Sequence, residues 1–299
     1  PRGRKVWIQL GWLYLDTIAI LQKFTAQPAR DHVFVHDVFD LSLLRKLFAE
    51  RGHEIAGIIS EVPTNPLIQT PDLVEIQKLC RAHQAIFIVD PTIASPYNLD
   101  VLPFSDVCVN SLTKYAASEG DVIAGAAVVN AASPWAADLR RLLPGELEPV
   151  YSRDLARLAA QIGDFENVIG RINRTTPAVV DFLRAHPRVK NVWWSLHPDS
   201  HDNYLKLARS PSAIGSMVSF TVENLTDFYD RLRLPKGPSF GMKTTLICPF
   251  IYLAHYDLVT SPEGRAQLAA AGLDPELLRL SVGTESAEEI IAALREALD

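Results

Sequence analysis

The chain of 299 residues is 48% hydrophobic and 21% charged, so it carries enough apolar surface to fold and is not disordered. Its 29 Lys+Arg against 35 Asp+Glu give −6 at pH 7, with the basic residues scattered, which excludes a polyanion-binding surface and argues against nucleic-acid partners. No apolar run approaches the ~20 residues that span a bilayer, so no membrane partner is expected. In chain order, Asp40 caps a helix with Leu43, Leu44, Leu47 and Phe48 on one face, and Gly52 ends it. Ile55 to Glu61 reads as a strand. Thr70 as a cap, Pro71 at the first helical position and Asp72 in the first turn open a helix with Leu73, Ile76 and Cys80 on its apolar face. Ala85 to Asp90, Asp106 to Asn110 and Val122 to Val129 are further short apolar runs, unbroken as in strands covered on both faces, which predicts a mainly parallel α/β sheet. Ser133-Pro134 starts a helix. Leu155, Leu158, Ile162, Phe165, Ile169 and Ile172 then form one long apolar stripe, and a new helix can begin at Thr176-Pro177.

Beyond His186 strands are expected around Val189 to Trp194, Ser216 to Val222 and Leu277 to Val282. A capping box of Ser286 and Glu289 then opens a last helix. This predicts a large domain over residues 1–165 and a smaller α+β domain over 166–299 with an antiparallel or mixed sheet. Cys80, Cys108 and Cys248 are odd in number and lack metal spacing, so they read as buried thiols in a reducing compartment, and a cytoplasmic location is expected. His36, His53, His83 and His255 have no companions at metal-ligand spacing, and no metal is expected.

Ligands of open α/β sheets gather at the carboxyl ends of the strands. There the sequence puts Asp90, followed by Pro91-Thr92, and the run Asn110-Ser111-Leu112-Thr113-Lys114-Tyr115. A carboxylate at one strand end and a lysine between hydroxyls at another suit pyridoxal 5'-phosphate: Lys114 for a Schiff base, Asp90 for the ring nitrogen, Ser111 and Thr113 for the phosphate. Taken singly, Asp90 also reads as a turn cap and Lys114 as a surface lysine.

Together, EVPTNPL (61–67), VDPTIASPY (89–97), DVCVNSLTKY with GDVIAGA (106–126), SFG (239–241) and LRLSVG (278–283) resemble the cystathionine γ-synthase-like family of pyridoxal-phosphate enzymes of Cys/Met metabolism, in the family's order. The resemblance implies the type I, aspartate-aminotransferase-like transferase fold, with the cofactor in the 1–165 domain. It implies cofactor contacts from Lys114, Asp90, Thr92, Ser111, Thr113, Tyr14 and Asn65, with Lys114 and Tyr14 catalytic and Tyr14 stacked on the ring. Arg279, Ser239 and Asn65 would bind an amino-acid substrate, Arg279 gripping its α-carboxylate. Asn65-Pro66 could equally be an ordinary turn and Tyr14 a core aromatic. Arg279 in an apolar strand calls for an anionic partner.

The chain departs from the family in three places. It lacks the N-terminal segment with a Tyr-x-Arg pair and a Ser-Gly-Met-like phosphate turn, so a fragment or a shortened homologue is expected. It has Ala117-Ser118-Glu119-Gly120 where a Gly-His pair is usual, and Pro238 where many members have glutamate. The expected reaction is γ-replacement on an activated homoserine ester by cysteine or another thiol, in a homodimer or homotetramer. The alternatives are a γ- or β-lyase, or an inactive remnant serving as a binding or assembly subunit.

Overall fold

The structure, a computed structural model, describes residues 3–299. Six strands form one sheet in the order β2-β1-β3-β4-β5-β6: β1 (Val6–Leu10), β2 (His32–Val35), β3 (Ile55–Glu61), β4 (Ile86–Asp90), β5 (Val107–Ser111) and β6 (Gly125–Val129). All pair in parallel except β6, which runs antiparallel along the outer edge of β5. Mainly parallel α/β is therefore correct. The covered strands carry the core: Ile8, Leu10, Ile58, Phe87 and Val89 are fully buried and pack with Leu44, Phe48, Leu73 and Ile76 of two helices, Leu41–Arg51 and Leu73–Ala82. The first helix starts where sequence placed it, but the second starts two residues later than expected, because the Asp72 carboxylate rather than Thr70 takes the free N–H groups of its first turn. Asp40 accepts the Leu43 N–H at 2.9 Å, and Asp72 accepts those of Val74 and Glu75 at 3.1 Å.

The second sheet, β7-β8-β10-β9, is antiparallel throughout: β7 (Val189–Trp194), β8 (Met217–Val222), β9 (Leu246–Pro249) and β10 (Leu278–Ser281). Leu278, Leu280 and Val282 turn toward a core with Val218, Phe220, Val179, Leu183 and Ile290. The alternating polar residues of β8 and β10 are buried as well, because that face looks onto the first sheet's loops: Ser219 Oγ donates to the Pro66 carbonyl at 2.6 Å.

Two expectations about helices fail. The apolar stripe from Leu155 to Ile172 is not one helix but two, Ser152–Gln161 and Phe165–Ala185, parted by a tight turn at Ile162–Asp164. No helix begins at Thr176 either: Phe165–Ala185 runs straight through Pro177. The helix stays whole because both of its ends are buried in different cores, Val168, Ile169 and Ile172 in one and Val179, Val180 and Leu183 in the other. Together those contacts outweigh the ~3 kcal/mol an internal proline costs. The three cysteines are buried and unpaired. Among the described residues no helix is long and apolar enough to cross a membrane, and no cluster of His, Cys, Asp or Glu could hold a metal.

Candidate active site

Four neighbouring strands of the large sheet end on one edge, and each delivers a polar residue there: β1 leads through Gly11 to Tyr14, β3 ends at Glu61, β4 at Asp90, and β5 leads from Ser111 to Lys114. The turn after β1 needs glycine. Gly11 has φ +75°, and a Cβ there would come within 2.7 Å of Val38.

Asp90 is fixed by Thr92, whose N–H donates to Oδ1 at 2.9 Å and whose hydroxyl donates to the same atom at 2.5 Å. Burial pushes its carboxyl up, against the pull of those two donors. Thr92 Oγ1 in turn accepts the Ser111 N–H at 2.9 Å, so β4 and β5 are tied at the mouth of the site. Lys114 lies half-buried with its Nζ 3.3 Å from Ser239 Oγ and 4.9 Å from the centre of the Phe240 ring. Burial and the positive charge of Arg279 lower its amine, which favours the neutral, nucleophilic form.

Arg279 projects from β10 on the face opposite Leu278 and Leu280, as alternation requires. Its Nη1 donates to Asn65 Oδ1 at 3.0 Å and its Nη2 to the Pro238 carbonyl. The guanidinium is flanked by rings, 4.5 Å from Phe250 and 5.4 Å from Phe240. Among the described residues no carboxylate lies within ion-pair distance of Arg279 or Lys114.

The remaining candidates are placed less uniformly. Asn65 is buried beside Arg279, in the loop whose Val62-Pro63 and Asn65-Pro66 peptides are cis. Among the described residues Ser111 Oγ has no hydrogen-bond partner, whereas Thr113 Oγ1 is bound to Ala124, accepting its N–H at 3.1 Å and donating to its carbonyl at 3.4 Å. Tyr14 is on the same edge but is 57% exposed, with its phenol hydrogen-bonded to Asp16. It is neither a core aromatic nor packed on any ring. Sequence reasoning passed over Glu61, Phe240 and Phe250. Glu61 could have been found by the signal that found Asp90, an acid closing an unbroken apolar strand; the two phenylalanines carry none until Arg279 is placed.

The residues suit pyridoxal phosphate on their own chemistry. A lysine with a lowered amine and a buried carboxylate that has no cationic partner among the described residues are what the group's aldehyde and ring nitrogen require, and the hydroxyl of Ser111, likewise without a partner among them, is a donor for phosphate.

Residues 5–299 match the model of the Cys/Met metabolism PLP-dependent enzyme family. The chain is 42% identical, over its whole length, to 60% of an L-2-amino-4-chloropent-4-enoate dechlorinase/desaturase of Streptantibioticus cattleyicolor. It is 32% identical over 97% of its length to 46% of a cystathionine γ-synthase of Neurospora crassa. The chain thus spans about half the length of these curated relatives. Among solved structures, a cystathionine γ-lyase from Micromonospora echinospora matches 99% of the chain with a TM-score of 0.83 and 27% identity, the match covering 76% of that chain. A cystathionine γ-synthase from Xanthomonas oryzae pv. oryzae in complex with cystathionine matches with the same score at 25% identity, over 99% of this chain and 75% of that one.

Proposed function

The chain belongs to the Cys/Met metabolism PLP-dependent enzymes, and from that premise we propose that the protein breaks the bond between the γ carbon of an α-amino acid and its leaving group. The observation that carries this reading is the shared wall of Phe240, which has the Lys114 amine 4.9 Å and the Arg279 guanidinium 5.4 Å from its ring centre. Arg279 grips the substrate's α-carboxylate through its planar fork, exchanging the neutral oxygens of Asn65 and Pro238 for an anion. Lys114, within reach of the substrate's α carbon once that carboxylate is held, moves protons at Cα and Cβ. Asp90, with Ser111 and Thr113, holds the cofactor. Bound there, pyridoxal phosphate supplies an electron sink for the charge that develops at those carbons.

In replacement, the leaving group departs with its electron pair, a thiol sulfur bonds to the γ carbon, and the thiol proton leaves with the departing group. An activated homoserine ester with cysteine is the first substrate pair. A second reading, elimination without an incoming thiol, draws support from the 42% identical relative, whose named substrate carries chlorine on carbon 4, the γ position. Incubation with homoserine esters and cysteine should yield cystathionine, whereas release of chloride from a γ-chloro amino acid without thiol favours elimination. Borohydride reduction with pyridoxal phosphate should label the peptide holding Lys114, and Lys114→Ala should abolish both label and turnover. Turnover of neither substrate class by a chain labelled at Lys114 would refute bond breaking at the γ carbon and leave the β-lyase and inactive-remnant readings.

We further propose a homodimer or homotetramer. Support comes from Tyr14, Leu15, Ile20 and Phe24, which expose apolar surface along the helix Leu15–Phe24 and its cap. A monomer in sedimentation at high concentration would refute this.

A further inference from the structure

Glu61 is the one acid on the site edge to which no role has been given. It is 5% exposed, closes β3, and is register-paired with Asp90 across the parallel β3–β4 ladder, so both carboxylates stand on the same face of the sheet. Its Oε1 accepts the backbone N–H of Tyr14 at 2.6 Å, and its carboxylate also accepts the backbone N–H of Asn65. It therefore touches the loop after β1 and the loop after β3, both of which reach into the site.

We propose that Glu61 is a positioning residue of the cofactor pocket, fastening the Tyr14 and Asn65 loops while holding the one proton that it and Asp90 have between them, so that Asp90 stays an anion for the cofactor ring. The inference rests on the assignment of Asp90 to that ring. Two buried, paired carboxylates cannot both be charged cheaply. Each carboxylate accepts two hydrogen bonds, but one of those on Asp90 is the short O–H bond from Thr92, while Glu61 has only backbone N–H donors and bears the charge of Asp90, so the proton falls to Glu61. Burial, then the charge of Asp90, push Glu61 up to about 8, against the Tyr14 amide and the Arg279 charge. The charged groups facing Glu61 are Asp90 from β4 and Arg279 from β10.

The pair can be tested without cofactor. A carboxyl raised to about 8 in the fold from an ordinary 4.5 makes the folded state bind more protons in that interval. Its stabilising contribution is complete below pH 4.5 and is lost as pH rises to 8, the folding constant falling up to roughly tenfold per pH unit. Glu61→Gln, neutral and able to accept the Tyr14 N–H, should remove that fall, and Asp90→Asn should shrink it by relieving the repulsion. Parallel unfolding curves for wild type and Glu61→Gln between pH 5 and 8 would overturn the proposal.

Titration with pyridoxal phosphate at pH 7 is the second arm. Glu61→Gln should bind within about threefold of wild type, whereas Glu61→Ala, which leaves the Tyr14 amide without its acceptor, should bind at least tenfold more weakly. If Glu61→Gln loses as much affinity as Glu61→Ala, an anion is needed at 61 and the proposal fails. Labelling of a lysine other than Lys114 in the wild type would sink the site assignment instead, a result separate from the cofactor-free curves.

Discussion

Arg279 shows why one side chain type suits this position. Its fork spans Asn65 Oδ1 and the Pro238 carbonyl, and its plane is packed by Phe250 and Phe240. A lysine has neither the fork nor the flat face. Arg279→Lys should therefore raise KM for amino-acid substrates roughly ten- to a hundredfold, about 1.4–2.8 kcal/mol of binding, while the cofactor spectrum and kcat hold. Loss of cofactor with an unchanged KM would instead make Arg279 a structural or phosphate-binding residue. The sequence exposed this arginine because a charge in an apolar strand is conspicuous. Its actual partners were not legible: among the described residues no carboxylate pairs with it, and two neutral oxygens 214 and 41 positions away accept its hydrogen bonds.

At the scale of elements, the strap Phe240-Gly241-Met242 decides how the second sheet sits against Lys114. Tyr115, the next residue, donates to the Ile93 carbonyl at 2.7 Å and also bonds Ser216, whose Oγ is 2.8 Å away and whose N–H it accepts at 3.0 Å. Gly241 has φ +67°, and a Cβ there would lie 2.8 Å from the Tyr115 ring. Gly241→Ala combines backbone strain with a clash and should cost about 1–3 kcal/mol, seen as a lower Tm, and should weaken pyridoxal-phosphate binding by displacing Lys114. An unchanged Tm would show that the strap yields freely. The elements that sequence revealed are those that carry their own punctuation: the Asp40 cap, the Thr70-Pro71-Asp72 signal, although Asp72 and not Thr70 is the cap, and the capping box at Ser286 and Glu289, which is present. Elements whose logic is tertiary stayed hidden. β1 has Gln9 in its buried middle, tolerable because Gln9 donates to the Gly11 carbonyl and bonds His32 of β2 at 2.9 Å. β9 ends in Pro249, which an edge strand can accept.

Across the whole molecule, the ionisable groups at the joints set opposing slopes of stability with pH. The loop after β1 is docked onto the second sheet's flank by Trp12, whose indole N–H donates to His255 Nε2 at 2.9 Å, with the two rings edge to face. That bond requires His255 unprotonated at Nε2, and burial lowers its imidazole, as it does those of His32 and His36. For a lowered histidine the unfolded chain binds the extra proton, so its contribution is whole above pH 6.5 and declines as pH falls below that. Glu61 acts the other way, its contribution declining as pH rises from 4.5 to about 8. The two effects oppose each other between pH 5 and 6.5, which should make the wild type's dependence shallower there than the fall from 6.5 to 8. His255→Gln, whose amide oxygen can accept the Trp12 N–H, should remove one histidine's share of the acid-side loss and make the variant gain stability on acidification relative to wild type. Glu61→Gln should do the reverse, levelling the alkaline side and uncovering a steeper loss below pH 6.5. Unfolding curves of the three proteins from pH 5 to 8 decide it. If His255→Gln runs parallel to wild type below pH 6.5, the Trp12 contact does not depend on the charge of His255, and the docking of the two sheets is carried by packing alone.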